Sequence, residues 1–124
     1  MSAALDIVVV RERIDPQELK RLVTRFFGDM VKFVVDIERG VAAIGGELHA
    51  DAEARLLALE SRQEDLWGGN YKPGLGPERC IEFTALVNIR PSQGNRAMMI
   101  ESQAIQARVQ ALVFRLLGRG EPLE

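Results

Sequence analysis

Between Ile81 and Ile89 every second residue is apolar: Ile81, Phe83, Ala85, Val87, Ile89. Glu82, Thr84, Asn88 and Arg90 are among the positions between and beside them. Successive side chains of an extended strand point to opposite faces, so this period predicts a half-buried strand. A strand cannot satisfy its own backbone, so the chain must build a sheet around it. The pattern ends at Pro91, which has no N–H to give to a ladder.

Partners for that strand are visible upstream. Ile7 to Arg11 (IVVVR) is a β-branched run and reads as a first strand. Met30 to Ile44 satisfies both periods, but its β-branched residues and the break at Glu38-Arg39-Gly40 favour a hairpin over a helix. Gly45-Gly46 then reads as a bulge or kink inside the second hairpin strand. Leu66 to Tyr71 reads as a further strand, followed by a loop from Lys72 to Glu78.

Helical signals alternate with these. Asp15-Pro16 places a cap before proline at the first helical position, and Leu19, Leu22, Val23, Phe26 and Phe27 follow until Gly28. Asp51 to Ser61 is rich in strong helix formers, with Asp51 as the expected cap. A last helix carries Ile105, Val109, Leu112, Val113, Leu116 and Leu117 and stops at Gly118. The order β-α-β-β-α-β-β-α predicts an α+β single domain, a mainly antiparallel sheet with about three helices on one face. Residues 1–5 and 119–124 read as loose tails.

At 124 residues the chain has room for one domain, residues 1–124, with a real core. Its single cysteine, Cys80, allows neither an intramolecular disulfide nor a cysteine metal cluster, and no metal site is expected. No apolar run reaches membrane-spanning length and no leader pattern opens the chain, so the expectation is no membrane and a cytoplasmic address. The net charge of −2 gives no field for a polyanion, and nucleic-acid binding is not predicted. Thirteen of the 16 basic residues are arginine, which suits planar anion recognition and equally fits an arginine-rich codon bias.

Polar chemistry concentrates in three places. In Glu47-Leu48-His49-Ala50-Asp51, an extended backbone puts Glu47 and His49 on one face with Asp51 nearby. His49 is then a candidate acid or base, oriented by Glu47 or Asp51. The same residues also serve as a helix cap and an edge histidine. In Asn88 to Arg96, the side chains of Asn88, Arg90, Ser92, Gln93, Asn95 and Arg96 crowd around Gly94, a density of donors suited to an anion. The structural alternative is a turn stapled by its own side chains. Gln63 and Trp67 form a lesser candidate, with Gly68-Gly69 leaving room beside the ring. Trp67 serves equally as a core anchor.

The strings GDMVKFVVDIERGVAAIGGELHADAEA from Gly28, QEDLWGGNY from Gln63 and VNIRPSQGNR from Val87 resemble a bacterial and archaeal family catalogued only as a domain of unknown function. The resemblance runs from about Val8 to Leu117. It is carried by Glu47, His49, Asp51, Gln63, Trp67, Asn70, Asn88, Arg90, Ser92, Gln93, Asn95 and Arg96 among others. The chain departs from it at Ala58 to Ser61, where relatives tend to have a glycine-containing turn, so a hairpin turn stands beside the helix as a reading of that segment. The resemblance supports a single domain and leaves activity, substrate and cofactor open.

These features lead us to expect a small anionic ligand in a polar pocket built from the Asn88–Arg96 loop and His49. A homodimeric or partner-binding module is the alternative. A small hydrolase or transferase acting on a phosphate-containing substrate comes third.

Overall fold

The structure is a computed structural model that describes residues 6–124; the expected N-terminal tail at 1–5 lies outside them. The elements follow the expected order: β1 (Ile7–Val10), α1 (Pro16–Phe26), β2 (Val31–Asp36), β3 (Val41–Gly45), α2 (His49–Ala58), β4 (Leu66–Tyr71), β5 (Ile81–Glu82) and α3 (Gln103–Leu116). The five strands lie in the order β1-β3-β2-β4-β5. Every pairing is antiparallel. None of the described helices is long and apolar enough to cross a membrane.

The helices cover both faces, not one. Val31, Phe33, Val35, Trp67 and Tyr71 form the larger core with α1 and α3. Val34, Ala43 and Leu66 form a smaller one with Ala52 and Leu56 of α2. Trp67 and Tyr71 lie on one face of β4, and burial of rings this size dominates the core they join. At α1, Asp15 caps the helix by accepting a hydrogen bond from the Gln17 backbone N–H at 2.8 Å. Leu22, completely buried, contributes about 1.5–3 kcal/mol through its burial.

Three segments depart from the expectation. Gly45 and Gly46 do not kink β3 from within; they end it with φ of +114° and +80°. A Cβ at Gly45 would come within 2.6 Å of the Asp6 carbonyl oxygen, so only glycine fits. The long strand over 81–89 is real for two residues only. Beyond Glu82 the chain leaves β4: Ala85 N–H bonds the Met98 carbonyl at 3.1 Å and Ile100 N–H the Phe83 carbonyl at 2.9 Å. Leu86–Asn88 then forms a single 3-10 turn. The apolar alternation is used, but against a returning loop. The C-terminal stretch 119–124 is also less loose than expected. Gly120 receives hydrogen bonds from Gly74 and Gly76 on its carbonyl and donates its N–H to the Tyr71 hydroxyl at 2.9 Å.

Helix α2 begins at His49, two residues before the expected cap Asp51, which sits in the first turn and favours the dipole from there. It ends at Ala58, and a tight turn follows in which Glu60 has φ +74°. The helix reading therefore holds as far as Ala58 and the hairpin turn does not form: the turn at Glu60 closes the helix, with the Ser61 N–H on the Leu56 carbonyl at 3.0 Å, and is of the kind that favours glycine. Among the described residues Glu60 is the sole non-glycine with positive φ. Glu60→Gly is expected to stabilise the protein by about 1 kcal/mol, the strain an L-residue carries in this region. Urea denaturation measures it, and a loss of stability would contradict the assignment.

Candidate functional site

His49 opens α2 and is 8% exposed. Its Nε2 lies 2.7 Å from the Gly69 carbonyl oxygen. A carbonyl only accepts, so the neutral ring carries its proton on Nε2 and leaves Nδ1 as an acceptor. Burial holds the His49 pKa below the ordinary imidazole value. The Gly69 carbonyl opposes that shift, Lys32 adds to it, and the Asn70 amide also opposes it. The imidazole is thus neutral at pH 7 and lies beside an ammonium.

The expected triplet does not form. Glu47 is exposed in the bend before α2, and His49 is bonded to a main-chain carbonyl rather than to Glu47 or Asp51. The reason is the early start of α2: a helical turn separates these three residues instead of aligning them along a strand. The depressed pKa has a consequence for stability. The unfolded chain binds a proton at His49 more readily than the folded one, so stability falls as pH drops below about 6.5. His49→Gln is expected to flatten that part of the stability–pH curve; an unchanged slope between pH 6.5 and 5 would contradict it.

The loop from Asn88 to Arg96 is organised inward. Asn88, fully buried, accepts from Gly68 N–H at 2.8 Å and donates to the Gly68 carbonyl at 2.9 Å and the Met98 carbonyl at 3.0 Å. Its carboxamide thereby pairs with the edge of β4 where another strand would otherwise do so. Arg90 donates to the carbonyls of Gln63 and Leu66 and to Gln93 Oε1, and its guanidinium stacks on Trp67 at 4.3 Å from the ring centroid. Burial lowers the Arg90 pKa, against the pull of Glu53 and Asp65. Gln93 reaches the Glu64 carbonyl at 3.0 Å. Asn95 donates to the carbonyls of Asn88, Ala97 and Met99 and accepts from Glu101 N–H. Ser92 and Arg96 are exposed. Arg90 was expected to present a fork to an anion; it is committed to main-chain carbonyls and a ring. Gln63 contributes through its carbonyl, and Trp67 is core.

An open cleft of about 350 Å³ lies on the α2 side of the sheet, lined by Lys32, Leu48, His49, Ala50, Asn70, Thr84, Ala85, Leu86, Val87 and Met98. Gly68 makes it possible for the 84–88 segment to lie so close. A Cβ there would stand 2.9 Å from Ala85 Cβ and Val87 Cγ2. Three of the lining side chains are strongly exposed for apolar residues: Leu86 at 70%, Leu48 at 60% and Met98 at 42%. Sequence reasoning found His49 but not its companions. Lys32 and Thr84 look like ordinary outward strand residues, and Leu48 and Leu86 like stray surface leucines. Their convergence depends on α2 and the 84–88 turn meeting over β4.

A family model described as a protein of unknown function (DUF5674) matches residues 8–116, which run from β1 to the end of α3. The chain belongs to this family. No curated protein and no solved structure matches it. The resemblance of the sequence strings to a domain of unknown function, and its extent along the chain, are therefore borne out. In this DUF5674 chain, Asn88, Arg90 and Asn95, which carry that resemblance, hold the fold together, whereas His49 and Asn70 face the cleft.

Proposed function

We propose that this DUF5674 domain binds a small, mainly apolar molecule in the cleft beside His49. The observation that carries the reading is the lining itself. Exposed leucines and a methionine wall a concave space that also holds a buried neutral histidine, an asparagine and a lysine. Apolar walls with a few convergent polar groups are the usual composition of a small-molecule site. This keeps His49 and the ligand-binding class expected from sequence and moves the site from the Arg90 loop to the cleft.

Ala50 is exposed on the cleft rim, so Ala50→Trp fills the space from outside without disturbing the core. Compounds that raise the melting temperature of the wild type are expected to lose that effect in Ala50→Trp. Binders indifferent to the substitution would place the site elsewhere. The exposed rim favours a second reading, in which an apolar side chain of another protein, or of a second copy, enters the same cleft. A concentration-dependent mass in sedimentation that Ala50→Trp abolishes would select it.

A further inference from the structure

His49 is fixed in the cleft with one nitrogen to spare. Its Nε2 donates to the Gly69 carbonyl at 2.7 Å, and its Cδ2 lies 3.3 Å from where a Cβ on Gly68 would stand. The ring therefore turns its Cδ2–Nε2 edge to β4. Nδ1 is the vertex opposite that edge and points away from the strand. Among the described residues it has no hydrogen-bond partner. With the proton on Nε2, Nδ1 is a lone pair that only accepts.

A second acceptor lies close by. Glu82, opposite Asn70 across β4 and β5, is held by Lys72 Nζ at 3.0 Å and Asn70 Nδ2 at 3.1 Å. These two donors keep the Glu82 carboxyl below the usual carboxylate range, so it is ionised and only accepts. The Asn70 amide must then turn its nitrogen to Glu82 and its oxygen elsewhere. That oxygen, Oδ1, is buried without a hydrogen-bond partner among the described residues. Asn70 follows Gly69, whose carbonyl holds the imidazole, and lines the cleft with His49. A buried acceptor without a partner is costly, and only a donor relieves it.

Two unpaired acceptors restrict the head group that suits this place. A carboxylate or a phosphate would bring further lone pairs against them. An ammonium would donate, but Lys32 also lines the cleft and has no carboxylate partner among the described residues. Two cations would then share one low-dielectric space. A neutral hydroxyl donates without either conflict, and its oxygen remains free to accept from an ammonium.

Resting on the cleft reading above, we propose that the ligand is an uncharged apolar molecule bearing a hydroxyl group. The hydroxyl donates to His49 Nδ1 beside Asn70, and the apolar body lies against Leu86, Val87 and Met98. Four probes of similar size test this: 1-hexanol, its isomer methyl pentyl ether, hexanoate and hexylamine, titrated into the protein and followed by backbone amide shifts. Hexanol is expected to bind about fivefold more tightly than the ether, which lacks the donor; one neutral hydrogen bond supplies that ratio. Both charged probes are expected to bind more weakly than hexanol. The chain has one histidine, so its ring nitrogens are read without overlap. Hexanol is expected to move the Nδ1 resonance more than that of Nε2, and the ether to leave Nδ1 in place. If the ether binds as tightly as hexanol, or either charged probe more tightly, the hydroxyl assignment is overturned and the cleft reading stands. If none of the four perturbs the cleft amides, both are overturned.

Discussion

Asn88→Ala is expected to destabilise the domain by about 4 kcal/mol, because each buried polar group left unpaired costs about 1–3 kcal/mol. Two such groups lose their partner in the substitution, the N–H and carbonyl of Gly68, while the carbonyl of Met98 keeps the Ala85 N–H at 3.1 Å. No water-facing alternative is open to Gly68, which is buried beneath Ala85 and Val87. Asn88→Asp sharpens the test. It preserves shape but turns the donor facing two carbonyls into an acceptor, so it should be at least as damaging as alanine. Urea denaturation followed by the fluorescence of the single tryptophan, Trp67, measures both. A loss below about 1 kcal/mol for either variant would show that this carboxamide does not complete the β4 edge.

Asp36→Ala is expected to cost about 3–5 kcal/mol, since hydrogen bonds to a charged acceptor contribute about 1.5–3 kcal/mol each. Asp36 is completely buried at the end of β2. Its Oδ1 accepts from the N–H groups of Glu38 and Arg39, both at 2.9 Å, and shapes the β2–β3 turn. Its Oδ2 accepts from the Ser61 hydroxyl at 2.6 Å and ties that turn to the connection between α2 and β4. Ser61→Ala removes one of these bonds and should cost about 1–2 kcal/mol. If the two single variants are equally damaging, the turn-shaping bonds contribute little and the account of Asp36 fails.

Local chemistry was legible in the sequence where a local rule sets the outcome. Asp15-Pro16 announced α1 because both the cap and the fixed φ act within one turn. The hairpin of β2 and β3 was readable from its β-branched residues, although Met30 to Ile44 also fits a helical period. The failures share a cause. The alternation from Ile81 to Ile89 reports burial on one side but not which neighbour provides it, and here a returning loop replaces the sheet after Glu82. The Arg90 loop looked like an anion site because donors are visible in a sequence and acceptors from the main chain are not. The carbonyls of Gln63 and Leu66 that occupy Arg90 lie more than twenty residues away. The partners of Asp36, two main-chain N–H groups and a hydroxyl 25 residues away, are hidden in the sequence for the same reason. The cleft itself arises where α2, β4 and the 84–88 turn converge, and no single stretch encodes it.

Ligands are expected to meet this domain at the cleft beside His49 and not at the Arg90–Arg96 loop. A fragment screen read by backbone amide shifts tests it most directly, because the two places are separated along the chain. Binders are expected to move the amides of Leu48–Ala50, Asn70 and Thr84–Val87 while those of Ser92–Arg96 stay in place. Shifts concentrated at Ser92–Arg96, with the cleft amides unmoved, would contradict the claim and return the site to the loop.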